Sequence, residues 1–313
     1  DIQAEFRKLA KQAVDAAISS ELELLEVEFP PLLGGDMSKS QFDDFDNIQE
    51  LDKNKDWTMN FAPLFAGDVK YKNGKTWLIF PDLKECEIAK KEWKGQRYRE
   101  ATFTTIEAVT EFCQGEGSYD APWGASFVSG VSKLMGSKGD VQEDEESDAG
   151  LLGDRTSLDQ LVLGENAPAS LALVIQPGNG GPVEDWVNCE KIYEGSPNSV
   201  MIIINGALDK VRGGYYPGIF FPKLAATVDR FFNNFESVFY LKPISDKGVY
   251  GWLYRVYPEP WQVVLQTLET DPRKANGEKY VVDTTVYTSD NRPTYNEAVA
   301  KLVEANAQRY EQQ

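Results

Sequence analysis

Pro177-Gly178-Asn179-Gly180-Gly181-Pro182 stands between a buried-type strand and a helical stretch, where α/β proteins cradle phosphate on backbone amides. It matches neither G-x-x-x-x-G-K-[ST] nor G-x-G-x-x-G. Its prolines remove amide donors, and Glu184 and Asp185 at the helix start repel an anion while suiting the helix dipole. A tight turn is the stronger reading. Asp52-Lys53-Asn54-Lys55-Asp56-Trp57-Thr58 puts oxygen ligands at positions one, three and five of a calcium loop. Trp57 fills the sixth position, which needs glycine, and Pro63 the twelfth, which needs a bidentate glutamate. That stretch reads as an acidic surface turn. Asn205-Gly206 and Gly213-Gly214 mark a strand exit, read first as turns and second as a ligand edge. Arg255, within Trp252-Leu253-Tyr254-Arg255-Val256-Tyr257, needs a carboxylate or a ring to stack on. A structural ion pair is the plainer explanation and a partner contact the sharper one. Trp261 reads as core before it reads as a binding platform.

The chain has no histidine. Serine–histidine and cysteine–histidine nucleophiles and ordinary zinc sites therefore cannot be built from it, and a pigment would lack its usual axial ligand. Cys86, Cys113 and Cys189 are far apart, with no C-x-x-C, and read as structural thiols of a reducing compartment. The carboxylates are too scattered to single out a catalytic pair. No catalytic, metal or cofactor residue is therefore assigned.

The balance of 32 Lys+Arg against 50 Asp+Glu gives a net charge of −18. Such a chain repels phosphate backbones and anionic bilayers, which argues against nucleic acid and against docking on lipid headgroups. The hydrophobic content of 42% is enough for a sizeable core. No apolar run approaches the roughly 20 residues of a membrane span. The start at Asp1 rather than Met suggests a processed or trimmed N-terminus.

Elements must position these residues. Three- and four-residue spacing of Ile2, Phe6, Leu9, Ala13 and Ala17 predicts a helix to Ser19, followed by a strand at Leu24–Phe29 stopped by prolines. Lys39 to Leu51 reads as helix or loop. Strands are predicted at Thr76–Phe80, Arg99–Ile106, Leu171–Ile175, Val200–Ile204, Val238–Leu241, Gly251–Val256 and Gln262–Thr267. Helices are predicted at Cys86–Trp93, Val183–Glu194, Lys223–Asn234 and Tyr295–Tyr310. Strands alternating with helices imply an α/β fold: a mixed, largely parallel central sheet flanked by helices, with an antiparallel C-terminal hairpin at one edge. The expectation is a single domain over 1–313, with an acidic Gly/Ser-rich insertion at about 114–150 that ends in Glu143-Asp144-Glu145-Glu146.

Leu25-Glu26-Val27-Glu28-Phe29-Pro30-Pro31-Leu32, after the first helix, resembles the opening signature of a known family. The run Phe231, Phe235, Tyr240-Leu241-Lys242-Pro243 and then Gly251-Trp252-Leu253-Tyr254-Arg255-Val256-Tyr257-Pro258-Glu259-Pro260-Trp261 resembles its closing one, and Val200–Ile204 ending in Asn205 also fits. The family is the uncharacterised plastid and cyanobacterial domain that includes the third low-photosystem-II-accumulation factor and the C-terminal extension of a plastid adenylate kinase. The resemblance runs from about Ala10 to Thr270, with Gln114–Asp148 departing from it.

It implies a nuclear-encoded chloroplast protein on the stromal side of the thylakoid membrane, working without enzymatic activity as an auxiliary factor in photosystem assembly. The expected partner is a photosystem or another thylakoid membrane protein complex, met through a protein surface. Exposed aromatics of the Tyr215-Tyr216 loop and of the Tyr257–Trp261 turn, with Arg255, are the candidate contacts. The alternative is a nucleotide- or phosphate-binding accessory domain of a stromal enzyme. A weaker third reading is pigment handling.

Overall fold

Five-residue runs such as Leu171-Ala172-Leu173-Val174-Ile175 and Val200-Met201-Ile202-Ile203-Ile204 have no polar face, and every residue of both is buried. That is the pattern of parallel strands covered on two sides. The structure is a computed structural model that describes residues 2–30, 44–66, 75–121, 169–178, 183–270 and 279–311. The chain forms two units, one of Asp1–Trp57 with Phe235–Gln313, the other of Thr58–Asn234. The described residues hold nine strands and eight α-helices in a mixed α/β fold, with parallel pairings in the majority.

In the Thr58–Asn234 unit, β2 (Thr76–Phe80), β3 (Ala101–Thr105), β4 (Leu171–Ile175) and β5 (Val200–Ile204) pair in parallel in the order β3-β2-β4-β5. Each strand feeds a helix. α3 (Leu83–Glu92) is capped by Asp82, which accepts from the Glu85 N–H at 2.9 Å. α4 (Ile106–Gln114) is capped by Thr105, which accepts from the Ala108 N–H at 3.2 Å. α5 (Glu184–Glu194) packs on α4, and α6 (Leu208–Arg212) and α7 (Pro222–Arg230) follow β5. Gly195 is required where α5 ends, because a Cβ there would overlap Cys113.

In the other unit β1 (Leu24–Glu28) pairs in parallel with β6 (Glu236–Asp246). β6, β7 (Val249–Val256), β8 (Trp261–Thr270) and β9 (Lys279–Ser289) then run antiparallel. Lys247 and Gly248 both have positive φ, so β6 and β7 are joined by a two-residue turn suited to their twist. α1 (Ile2–Ser19) packs on β1, β6 and β7, with Phe6 and Phe239 rings 5.9 Å apart. α8 (Tyr295–Glu311) covers β7, β8 and β9, burying Tyr240, Leu253, Trp261, Val263 and Leu265 against Val299 and Leu302.

Most predicted elements are present, and the differences are physical. The predicted hairpin is β7–β8, antiparallel as expected, but β9 extends the sheet beyond it. The acidic turn predicted at Asp52–Thr58 is instead helix, inside α2 (Asp44–Phe61). Asn54, Lys55, Trp57 and Thr58 are buried there, and Trp57 stacks on Phe29 at 4.2 Å. Burial of one helical face outweighs the turn propensity of Asp and Asn. α4, α6 and β9 were not anticipated. Nearly all of the acidic insertion, and Asn179–Pro182 of the glycine-rich turn, lie outside the described residues.

Candidate functional site

β5 leaves its sheet through Asn205 and Ala207, both at positive φ, before the short helix α6. The Gly213 N–H donates to the Asp209 carbonyl at 2.8 Å and the Tyr215 N–H to the Lys210 carbonyl at 3.2 Å, closing that helix into a loop. The Phe220 and Phe221 N–H groups both donate to the Pro217 carbonyl, at 2.9 and 3.0 Å. Half-buried Tyr216 anchors the loop, with ring centroids 5.3 Å from Trp186, 5.6 Å from Phe221 and 5.1 Å from Tyr215. Trp186 is itself fixed, donating its Nε1–H to the Gly206 carbonyl at 3.1 Å and lying against Gly178 so closely that a Cβ there would collide with its ring. On this base Tyr215, Ile219 and Phe220 stand out at 69%, 85% and 75% exposure.

Beneath the loop lies a polar frame. Asp120 receives Lys223 at 2.9 Å and Lys191 at 3.1 Å. Its backbone exchanges hydrogen bonds with the Asn188 amide, tying the segment after α4 to α5 and α7. Burial alone would raise the Asp120 carboxyl, but the two lysines hold it below its ordinary value. Asp185, 2% exposed, accepts from the Gly178 N–H at 3.0 Å. Burial pushes it up to about 7 against that hydrogen bond, helped by the charges of Glu184 and Asp82. Burial also raises the Tyr119 hydroxyl, with Asp185 and Glu107 adding to it. The strand ends thus gather acids, and the amide of Gly178 already serves a carboxyl rather than a phosphate.

The other predicted contacts belong to the unit of Asp1–Trp57 with Phe235–Gln313. Arg255 makes an ion pair with Glu236, 2.5 Å away, and its Nε–H donates to the Glu259 carbonyl at 3.3 Å. Its guanidinium also lies 5.7 Å from the Tyr257 ring and 5.2 Å from the Trp261 ring. Arg292 covers Tyr240 at 4.3 Å and Trp261 at 5.2 Å, and reaches the fully buried Glu26 at 3.8 Å. This is a structural ladder of cations and rings. Trp261, 2% exposed under α8, presents no ring to a partner, while Tyr257 stays part-exposed and Arg255 is spent on Glu236.

Each unit also exposes apolar residues not anticipated from sequence. Tyr250, Leu268 and Val281 are exposed, and strand alternation places them on the sheet face opposite α8. Leu268 and Val281 are direct cross-strand partners, and Tyr250 opposes Gln266, two residues from Leu268. Ile219 and Phe220 were missed although a signal exists: Gly213–Pro222 are ten residues without a charge, in a chain where 26% are charged.

Among the described residues no group of three or more Cys, Asp and Glu could hold a metal ion, and no helix is long and apolar enough to cross a membrane. Burial pushes the Cys86 thiol up to about 11 and also raises those of Cys113 and Cys189, the opposite of a reactive thiolate. What the described residues present is exposed apolar surface on a mixed α/β scaffold. A family model described as a domain of unknown function, DUF1995, matches residues 3–300, and the chain belongs to that family. No curated protein and no solved structure matches it.

Proposed function

We propose that the chain is a non-enzymatic auxiliary protein that binds a thylakoid photosystem complex from the stromal side of the chloroplast membrane, as an assembly factor or a peripheral subunit. Within its family it would stand with the third low-photosystem-II-accumulation factor and the plastid adenylate kinase extension, as its opening and closing motifs suggest. The observation that supports the reading is exposed apolar surface, above all the Tyr250–Leu268–Val281 sheet face. Contiguous apolar surface of this kind marks contact sites. Burying a Leu or Phe side chain contributes about 1.5–3 kcal/mol.

The test is retention on a photosystem complex solubilised from thylakoids. The wild-type chain is expected to co-purify, and Leu268→Glu, which buries a charge at the contact, to be retained at least tenfold less. A protein found wholly as a free stromal monomer would overturn the proposal. The nucleotide reading is weaker, because Asp185 occupies the Gly178 amide and Asp82 and Glu184 add negative charge at the strand ends. A thermal shift of several degrees with one adenine nucleotide would reinstate it.

A further inference from the structure

The loop tip of Tyr215, Ile219 and Phe220 differs in chemistry from the sheet face. Its side chains offer hydroxyls of tyrosine and no other hydrogen-bonding group from Gly213 to Pro222. Protein interfaces carry about one hydrogen bond per 100–200 Å² to fix register, and this tip has little to fix register with. Gly213, Gly214, Tyr215 and Pro217–Phe220 are all exposed, and the tip is anchored by Tyr216, Phe221 and Trp186. An aliphatic side chain flanked by aromatic rings is the composition that settles at the boundary between headgroups and acyl chains.

Charge points the same way. The chain as a whole carries −18, but Gly213–Pro222 carries no charge, and the cations that follow it, Lys223 and Arg230, are paired with Asp120 and Glu190. The uncharged stretch is bracketed by exposed Lys210 and Lys223; Lys223 is paired with Asp120, while the apolar stem of Lys210 can lie along a bilayer surface with its ammonium group meeting lipid phosphate. Carboxylates at those positions would be costly there. Elsewhere the acidic surface keeps strongly anionic bilayers at a distance, so the fitting surface is one of net-neutral lipids.

We propose that Tyr215, Ile219 and Phe220 insert shallowly into the interface of a net-neutral lipid bilayer, making this loop a peripheral membrane contact. The proposal takes its setting from the docking function above, but it concerns lipid rather than protein.

The test is flotation of the full chain with phosphatidylcholine vesicles. Wild type is expected to float, with little change on adding salt. Phe220→Ser and Ile219→Ser, both at exposed positions that leave the core intact, are each expected to lower partitioning about tenfold. Phe220→Trp should show a blue-shifted emission increment on vesicle addition. Absence of wild-type flotation, or equal flotation of wild type and both serine variants, overturns the insertion. If flotation fails while the chain still co-purifies with the solubilised complex, the loop is a protein contact and the function above stands. If co-purification fails while flotation persists, the photosystem reading falls and the lipid contact stands.

Discussion

Asp185 concentrates the consequences of burial in one carboxyl. Its ordinary value of 3.8 applies in the unfolded chain, and in the folded chain burial carries it to about 7. The native state therefore binds the extra proton between those limits. The residue's contribution to stability is fullest below about pH 4, falls as pH rises toward 7, and is constant above that. The span corresponds to a contribution on the order of 4 kcal/mol. Asp185→Asn keeps the acceptor for the Gly178 N–H but cannot ionise. The wild type minus variant difference in unfolding free energy is expected to drift between pH 4 and 7 and to level off above it; urea titrations with no such drift would refute the assignment. At this scale the sequence told us half. Arg255 was legible as an ion pair because arginine in an aromatic strand needs a counter-charge, and Trp261 as core because so large an aromatic ring is more often buried than offered to a partner. The raised carboxyl of Asp185 was not legible, since it comes first from burial, which only the folded packing supplies, and then from the charges of its neighbour Glu184 and of Asp82 at the start of α3.

Elements were legible where periodicity was strong. α1, β2, β4, β5, α5 and α8 were readable from spacing or from unbroken apolar runs. β9 escaped notice because every one of its residues is at least part-exposed, so Lys279–Ser289 shows no buried alternation and is held by its ladder with β8. α2 runs past the predicted stretch because Asp, Asn and Lys between Asp52 and Asp56 resemble a turn, although its buried face is supplied by Trp57 and Met59 further on. The packing of α8 gives a direct test. Gly251 of β7 has the Val264 carbonyl and Leu302 of α8 where its Cβ would lie. Gly251→Ala should cost about 1–3 kcal/mol by overpacking. A thermal midpoint unchanged in that variant would mean that α8 does not approach β7 so closely. α8 is also secured at its start, where Thr294 and Glu297 exchange hydrogen bonds as a capping box.

At the scale of the molecule, charge and apolar surface oppose each other. A net charge of −18 keeps copies apart while Tyr250, Leu268, Val281, Ile219 and Phe220 face solvent. That protection vanishes near the isoelectric point of about 4.5. Turbidity of the purified protein should rise steeply as pH falls to that value, and combining Leu268→Glu with Phe220→Ser should reduce it. Equal turbidity in wild type and the double variant would mean that other surface drives the association. The order of the chain has a consequence for its birth. β1 is synthesised early but its parallel partner β6 begins at Glu236, after all of Thr58–Asn234 has been made. The intervening unit is continuous and can therefore fold while α1 and β1 still wait, and the split unit closes last, whether the chain emerges from a ribosome or from import into the chloroplast. A chaperone that guards the emerging chain is needed for that waiting strand, from the moment Leu24–Glu28 emerges until Glu236 does.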